Sequence, residues 1–250
     1  LLLLSLASMM SVFPIFYILG MASHGDSAFT MEIGLKMFES MNLDNFRMLF
    51  TRTDFLIWLR NSVLISTVVA LVGVAMASMS GYALARYQFH GRSWILRSIL
   101  TTQMFPASML MLPFFIVLTK LRLINSFVGL FIIYSSTALP FCIWQMKGFY
   151  DTIPHSLEEA ARIDGCTPWH SFRRVILPLA VPGLVITALF SFMTAWSEYI
   201  VAAQILQDRD LFTLPLGLKS FQSSMSTQWG LYAAASILVS VPVVVVFVLL

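Results

Sequence analysis

Charge is scarce in this sequence. Asp, Glu, Lys and Arg make up 11% of its 250 residues, against about 25% in a soluble domain. The shortage runs along the whole chain, with 58% hydrophobic residues and a mean hydropathy of +0.84. It excludes an ordinary soluble domain and predicts an integral membrane protein. The 15 basic and 12 acidic residues balance too evenly to suggest nucleic acid; any basic patch reads as a surface facing membrane lipid. Cysteine is nearly absent. Cys142, in an apolar stretch, and Cys166, in a polar one, have neither metal-ligand spacing nor a disulfide framework, and both read as small packing residues. Catalytic signatures are missing too: there is no G-x-x-x-x-G-K-[ST], no H-E-x-x-H and no G-x-S-x-G. The four histidines, His24, His90, His155 and His170, fall in predicted loops, as solvated or interfacial groups. The expectation is therefore no catalytic residue, no metal site and no cofactor bound by this chain.

Also missing are tandem repeats, low-complexity linkers and a polar stretch large enough for a second domain, so residues 1–250 read as one transmembrane domain. It opens without Met and stops inside an apolar run, so both ends read as trimmed. The opening leucines lack a clear small-residue cleavage site and fit a first span better than a signal peptide.

What is there is a series of apolar runs. A spanning helix needs about 20 mostly apolar residues, and six segments qualify: Leu1 to Ala22, Leu59 to Leu84, Ile95 to Thr119, Phe127 to Met146, Leu179 to Leu206 and Leu231 to Leu250. The predicted fold is an all-α membrane protein of about six transmembrane helices. Gly73, Ala77 and Gly81 lie at helical spacing in the second span and allow close helix approach. Pro106 and Pro113 interrupt the third and Pro140 the fourth; such prolines border a pathway or simply kink the packing. Between the first two spans, Asn42 to Phe50 has the pattern of a capped amphipathic helix. Six spans put the loops around Arg86 to Arg97 and around Glu158 on one side. These two loops hold seven Lys and Arg; the rest of the chain holds eight. That difference barely decides orientation.

The most polar segment between two apolar ones is Glu158-Glu159-Ala160-Ala161-Arg162-Ile163-Asp164-Gly165, continuing through Phe172 to Pro178 and Pro182. It reads as two short helices with a turn between them. Ser156 and Glu159 have the spacing of a capping box. Gly165 supplies a left-handed residue to end the first helix. Thr167 and Pro168 start the second, which carries Arg173 and Arg174 towards the next span. By spacing alone this is either a helix lying at the membrane surface or an element built for a partner. Glu198, after Trp196 and before Tyr199, is the outstanding ionisable residue of the spans. It lies about a full span beyond Leu179, so it is either a carboxylate satisfied at the interface or part of an outer gate.

The run E-A-A, three residues to Asp164-Gly165, seven to Phe172, six to Pro178 and four to Pro182 resembles the EAA loop of ATP-binding-cassette importer permeases. Similar too are the N-x-D-N-F-like stretch at Asn42, Tyr82-Ala83-Leu84-Ala85-Arg86, Trp196-Ser197-Glu198, and Thr213-Leu214 with Gly217. The resemblance covers nearly the whole chain. It is to the shorter, six-helix permease of maltose-type, binding-protein-dependent carbohydrate importers, of the type I permease fold. Cys166 stands where the family often has alanine, a small-for-small change.

The resemblance implies a multi-pass protein of the bacterial or archaeal cytoplasmic (inner) membrane. It implies a heterodimer with a second permease, two copies of an ATP-binding subunit that use ATP and Mg, and an extracytoplasmic sugar-binding protein. Residues 155–174 would be the cytoplasmic coupling-helix loop, with Glu158, Glu159, Ala160, Ala161, Asp164, Gly165, Phe172 and Pro178 coupling to the ATPase. Glu159, Ala160 and Ala161 would form the docking face. Residues 207–230 would face the binding protein, with Gln222, Ser223, Ser224, Met225, Ser226, Thr227 and Gln228 in contact. A sugar stacks its C–H surface on aromatic rings and bonds its hydroxyls to polar groups. Pathway or gate candidates are Gln103, Tyr134, Ser135, Ser136, Thr137, Trp196, Glu198 and Tyr199, each of which also reads as helix packing. The substrate class implied is an oligosaccharide such as maltodextrin or trehalose. Alternatives are another solute such as glycerol-phosphate, or an ion-coupled secondary transporter, which would need charged sites at mid-membrane.

Overall fold

The computed structural model describes residues 2–23, 41–222 and 227–249, and most of them are helical. In chain order the helices are α1 (Leu2–Ala22), α2 (Asp44–Arg52), α3 (Phe55–Arg86), α4 (Arg92–Gln103), α5 (Met111–Lys120), α6 (Phe127–Thr152), α7 (Ser156–Ile163), α8 (Pro168–Ser171), α9 (Leu177–Leu179), α10 (Val181–Ser197), α11 (Ile200–Ile205), α12 (Leu214–Lys219) and α13 (Trp229–Leu249). Short 3₁₀ turns lie at Ala107–Leu110 and Arg209–Leu211, and a π-helical stretch at Phe172–Ile176 joins α8 to α9.

Among the described residues, α1, α3, α6 and α13 are long and apolar enough to cross a membrane. A fifth crossing is available where Pro168–Leu179 and Val181–Ser197 meet at a 75° bend. The third span is interrupted, as its prolines predict. α4 stops at Gln103 and α5 starts at Met111, each well short of a crossing. Pro106 is the cause, because it has no N–H to give and pushes Phe105 out of the helical region. Pro113 sits in the first turn of α5, where a missing N–H leaves no bond unmade. Pro140 does not interrupt the fourth span as expected, and α6 runs straight through it; only the bond to the Ser136 carbonyl is forfeited. The expected fifth span also ends early, at Ser197, and the chain restarts at Ile200.

The chain divides into two compact units. The first comprises Leu1–Ser62 and Leu206–Leu249. Here α1 and α2 pack on α13, around Ala22, Ala233 and Ala234. The amphipathic stretch forms α2, which buries Asn45 and Leu49, one turn apart. Its amide Asn45 Nδ2 donates to the Ala22 carbonyl at 3.1 Å. Leu43, rather than a side-chain donor or acceptor, occupies the N-cap position.

In the same unit the segment after Leu206 is pinned to the first two turns of α3. Trp58 Nε1 donates to the Arg209 carbonyl at 3.1 Å. Asn61 Nδ2 donates to the carbonyls of Asp210 (2.8 Å) and Phe212 (3.0 Å). The backbone N–H of Leu214 donates to Ser62 Oγ at 2.7 Å. Gly217 lies against the Trp58 ring so closely that a Cβ could not be fitted there.

The second unit comprises Val63–Ile205. α6 packs along α10 and against α4, and α5 packs on α11. Its core gathers Ala77, Tyr82 and Ala85 of α3, Cys142, Met146 and Tyr150 of α6, and Phe172, Ile176 and Ala180 beyond α8. Ala77, the middle residue of the expected small-residue stripe, is fully buried in it.

Candidate functional site

The site is the 153–180 segment, and local chemistry shapes most of it. α6 ends where Ile153 turns extended and Pro154 follows. α7 begins one residue earlier than the capping-box reading implies. His155 is the N-cap, Ser156 is the first helical residue, and no side chain caps the end. The orphan N–H groups of Glu158 and Glu159 instead reach the His155 carbonyl, at 3.0 and 3.2 Å.

The far end follows the expectation. Gly165 has φ +84°. Its N–H donates to the Arg162 carbonyl at 3.0 Å, and that of Cys166 donates to the Ala161 carbonyl at 2.9 Å. This is the paired bonding of a Schellman turn. Thr167 then caps α8, its Oγ1 accepting from the His170 N–H at 3.3 Å, with Pro168 in the first turn.

Helical periodicity sorts α7 into two faces. Glu158 and Ala161, three residues apart, point inwards and are 4% and 6% exposed. Glu159 and Ala160 point outwards. Leu157, Ile163 (86% exposed) and, from α8, Trp169 are also exposed. Of the expected docking face, Glu159 and Ala160 lie on the outward side and Ala161 is turned into the chain; of the other expected coupling residues, Glu158 and Phe172 are buried. Asp164, Gly165 and Pro178 are exposed. The outward surface sets the apolar Leu157, Ala160, Ile163 and Trp169 among the charged groups of Glu159, Arg162 and Asp164.

Glu158 is held by two side chains. Arg86 Nε, at the end of α3, meets its Oε1 at 2.5 Å. Tyr82 donates to its Oε2 at 3.3 Å. Arg86 Nη2 also donates to the Ile153 carbonyl at 2.8 Å. Below this pair lies an aromatic cluster. Tyr82 is 4.5 Å from Phe172 and 5.7 Å from Tyr150, ring centre to ring centre, and Tyr150 Oη is 3.2 Å from Ser78 Oγ. A buried carboxylate needs such partners, since desolvating the charge alone would cost several kcal/mol. Sequence reasoning finds Arg86 only as part of a motif and misses its role. An arginine closing a long apolar helix is the available signal, but its partner lies 72 residues away.

The pathway candidates separate. Tyr134 is 1% exposed, and Ser135 and Trp196 are also buried, with Trp196 stacked on Phe192 at 5.4 Å. These three are packed inside the chain, the helix-packing side of the two readings left open for them. Gln103 and Ser136 are exposed, while Thr137, Glu198 and Tyr199 are partly so. Glu198 is engaged locally. Tyr134 donates to its Oε2 at 3.0 Å, and the N–H groups of Val201 and Ala202 donate to it at 3.0 to 3.2 Å.

In the loop before α13, Gln222 and Thr227 form an isolated antiparallel bridge, and the Gln228 N–H donates to the Phe221 carbonyl at 3.1 Å. Ser223, Ser224, Met225 and Ser226 lie outside the described residues.

Residues 70–250 match the family described as the inner membrane component of binding-protein-dependent transport systems. The chain is 32% identical over 239 residues to the diacetylchitobiose uptake system permease protein DasC of Streptomyces coelicolor, covering 96% of this chain and 87% of that one. It is 38% identical over 201 residues to the maltose/maltodextrin transport system permease protein MalG of Salmonella typhimurium, covering 78% and 67%. To the arabinooligosaccharides transport system permease protein AraQ of Halalkalibacterium halodurans it is 32% identical over 242 residues, covering 95% and 86%. Among solved structures it shares its fold with a chain in the crystal structure of a bacterial ABC transporter involved in the import of the acidic polysaccharide alginate. The TM-score is 0.82 at 23% identity, over 99% of this chain and 92% of that one.

Proposed function

Because the chain belongs to the family of inner-membrane components of binding-protein-dependent transport systems, we propose that it pairs with a second permease to form the pathway of an ATP-driven oligosaccharide importer. In this reading the 153–180 segment lies in the cytoplasm and α7 docks on an ATP-binding subunit. That subunit holds ATP and Mg and carries out the hydrolysis. Two copies of it serve the complex. The bridge at Gln222 and Thr227 belongs to the opposite side, where an extracytoplasmic binding protein delivers the sugar.

The observation that carries this reading is the outward surface of α7 and α8. Leu157, Ile163 and Trp169 are exposed among Glu159, Arg162 and Asp164 on a short segment closed by the Gly165 turn. Large exposed apolar side chains set among charges are the composition of a protein interface rather than of a solvated loop. Closure of two ATPase subunits would push this surface, and the helical run from α8 into α10 would carry the displacement into the membrane as a rigid-body change. The oligosaccharide class rests on DasC, MalG and AraQ, each named for an oligosaccharide or its fragments.

The test is co-purification. Tagged chain extracted from its native membrane should bring down a second permease and an ATP-binding subunit. Changing Ile163 and Trp169 together to serine should release the ATP-binding subunit and leave the second permease bound. Retention of the ATP-binding subunit by that double variant would overturn the docking assignment.

A further inference from the structure

One side chain ties together three elements of the second unit. Arg86 is the last residue of α3. Its guanidinium grips the Glu158 carboxylate of α7 through Nε and the Ile153 carbonyl, just past α6, through Nη2. The pair is enclosed, with side chains only 3% and 6% exposed, so water does not compete for either group. Tyr82, one turn earlier on α3, supplies a second donor to the same carboxylate.

The chemistry suits a mechanical link. An apolar contact of the same size could hold α7 in place, yet it would let the surfaces slide. Hydrogen bonds fix distance and direction. A guanidinium fork can serve two acceptors lying in different directions, which a lysine ammonium does less well. Without Arg86, the side-chain hydrogen bonds from α3 to α7 reduce to the one from Tyr82, and the remaining links are the chain connections on either side of α7. One of those connections contains Pro154, and the other runs through the Gly165 turn and the π-helical stretch at Phe172–Ile176.

We propose that Arg86 is a positioning residue that makes α7 move as one piece with the C-terminal ends of α3 and α6, so that displacement of α7 reaches the membrane helices directly. This inference rests on the reading of α7 as the ATPase-docking helix. It adds a residue outside the docking surface and a route that bypasses the covalent connections of the loop.

The experiment uses the purified importer complex carrying spin labels at Gln88→Cys and Ser156→Cys, in a Cys166→Ala background with Cys142 left buried. Both label positions are exposed and lie outside the proposed docking surface. The distance between labels is measured by electron paramagnetic resonance, without nucleotide and after trapping with ATP and vanadate. With Arg86 in place the distribution should be narrow and the same in both states. In Arg86→Gln it should broaden and shift between states by about 1–2 Å or more, the scale of helix shifts in such transitions, while ATP hydrolysis continues. Arg86→Lys, which keeps the charge but not the fork, should be intermediate, and it serves if the glutamine variant fails to accumulate. A distribution in either variant as narrow and invariant as in the unaltered chain would overturn the proposal. So would a shift between states in the unaltered chain. If the unaltered chain brings down no ATP-binding subunit, the docking reading falls and takes this inference with it. If the subunit is present and the distances ignore residue 86, only this inference falls.

Discussion

Tyr134 of α6 donates its hydroxyl to the carboxylate of Glu198, 3.0 Å away, and that carboxylate closes the gap between two helices. α10 ends at Ser197 and α11 starts at Ile200, which leaves the first N–H groups of α11 without intrahelical acceptors. Glu198 accepts from those of Val201 and Ala202, and a negative charge at a helix N-terminus is favoured by the peptide dipoles as well. The most conspicuous acid of the spans is thus a structural fastener.

Glu198→Ala should therefore destabilise the protein. The buried Tyr134 hydroxyl keeps only the longer bond to the residue 198 carbonyl, at 3.4 Å, so losing the carboxylate costs about 1 kcal/mol, and the lost capping interaction adds about 1 kcal/mol. Glu198→Gln keeps an acceptor oxygen and should cost less. Thermal unfolding of the detergent-solubilised protein, with Tyr134→Phe completing a double-mutant cycle, should give a positive coupling energy. Independent effects would mean that the bond contributes nothing.

Gly165 adopts a φ of +84° and donates to the Arg162 carbonyl. Gly165→Ala should cost about 1–2 kcal/mol, the penalty of a left-handed conformation for a residue with a Cβ. Proline can neither reach that φ nor supply the N–H. Gly165→Pro should insert into the membrane at normal levels and abolish ATP-coupled uptake; normal uptake would refute the role assigned to this turn.

Neighbouring glutamates on α7 should behave oppositely. Glu158→Ala leaves the Arg86 charge buried without its carboxylate, and breaking such a pair costs about 3–5 kcal/mol. Glu159→Ala removes an exposed group and should change stability by less than about 0.5 kcal/mol, while weakening retention of the ATP-binding subunit. Unfolding midpoints and co-purification on the same preparations separate the two.

Asn61 holds two carbonyls of the segment after Leu206 with one amide. Asn61→Ala should release that segment, at a cost of about 1–3 kcal/mol for carbonyls left unpaired, and expose Arg209 to limited trypsin digestion. Gly217→Val should act on the same place by crowding the Trp58 ring, with an overpacking cost of about 1–3 kcal/mol. Unchanged cleavage in both variants would show that the segment is held by other means.

Features set by neighbours in sequence are legible without the structure. The turn at Gly165, the cap at Thr167 and the helix start at Pro168 all arise from local backbone chemistry. The start of α7 is misplaced by one residue, because the His155 carbonyl, rather than the Ser156 hydroxyl, meets the first N–H groups. Apolar length locates four spans, and Pro106 marks the break in the third apolar run, but composition does not distinguish it from Pro140, which leaves α6 whole. The inward turn of Glu158 is hidden, since nothing near it in sequence names Arg86. Glu198 stays open between two readings for the same reason: its partner Tyr134 lies 64 residues away in sequence.

The π-helical stretch at Phe172–Ile176 has a consequence for how this protein tolerates changes in length. A π turn holds one residue more than an α turn, so deleting one residue there would leave a regular α-helix and preserve every backbone bond nearby. Such a deletion closes the wide turn and leaves the two halves of the helix near their present orientation, so Glu158 stays opposite Arg86. The same deletion in a regular α-helical turn rotates the halves by about 100°, given 3.6 residues per turn, and would carry Glu158 away. The π-helical stretch is thus the place in this segment where the chain can lose a residue at least cost to the loop.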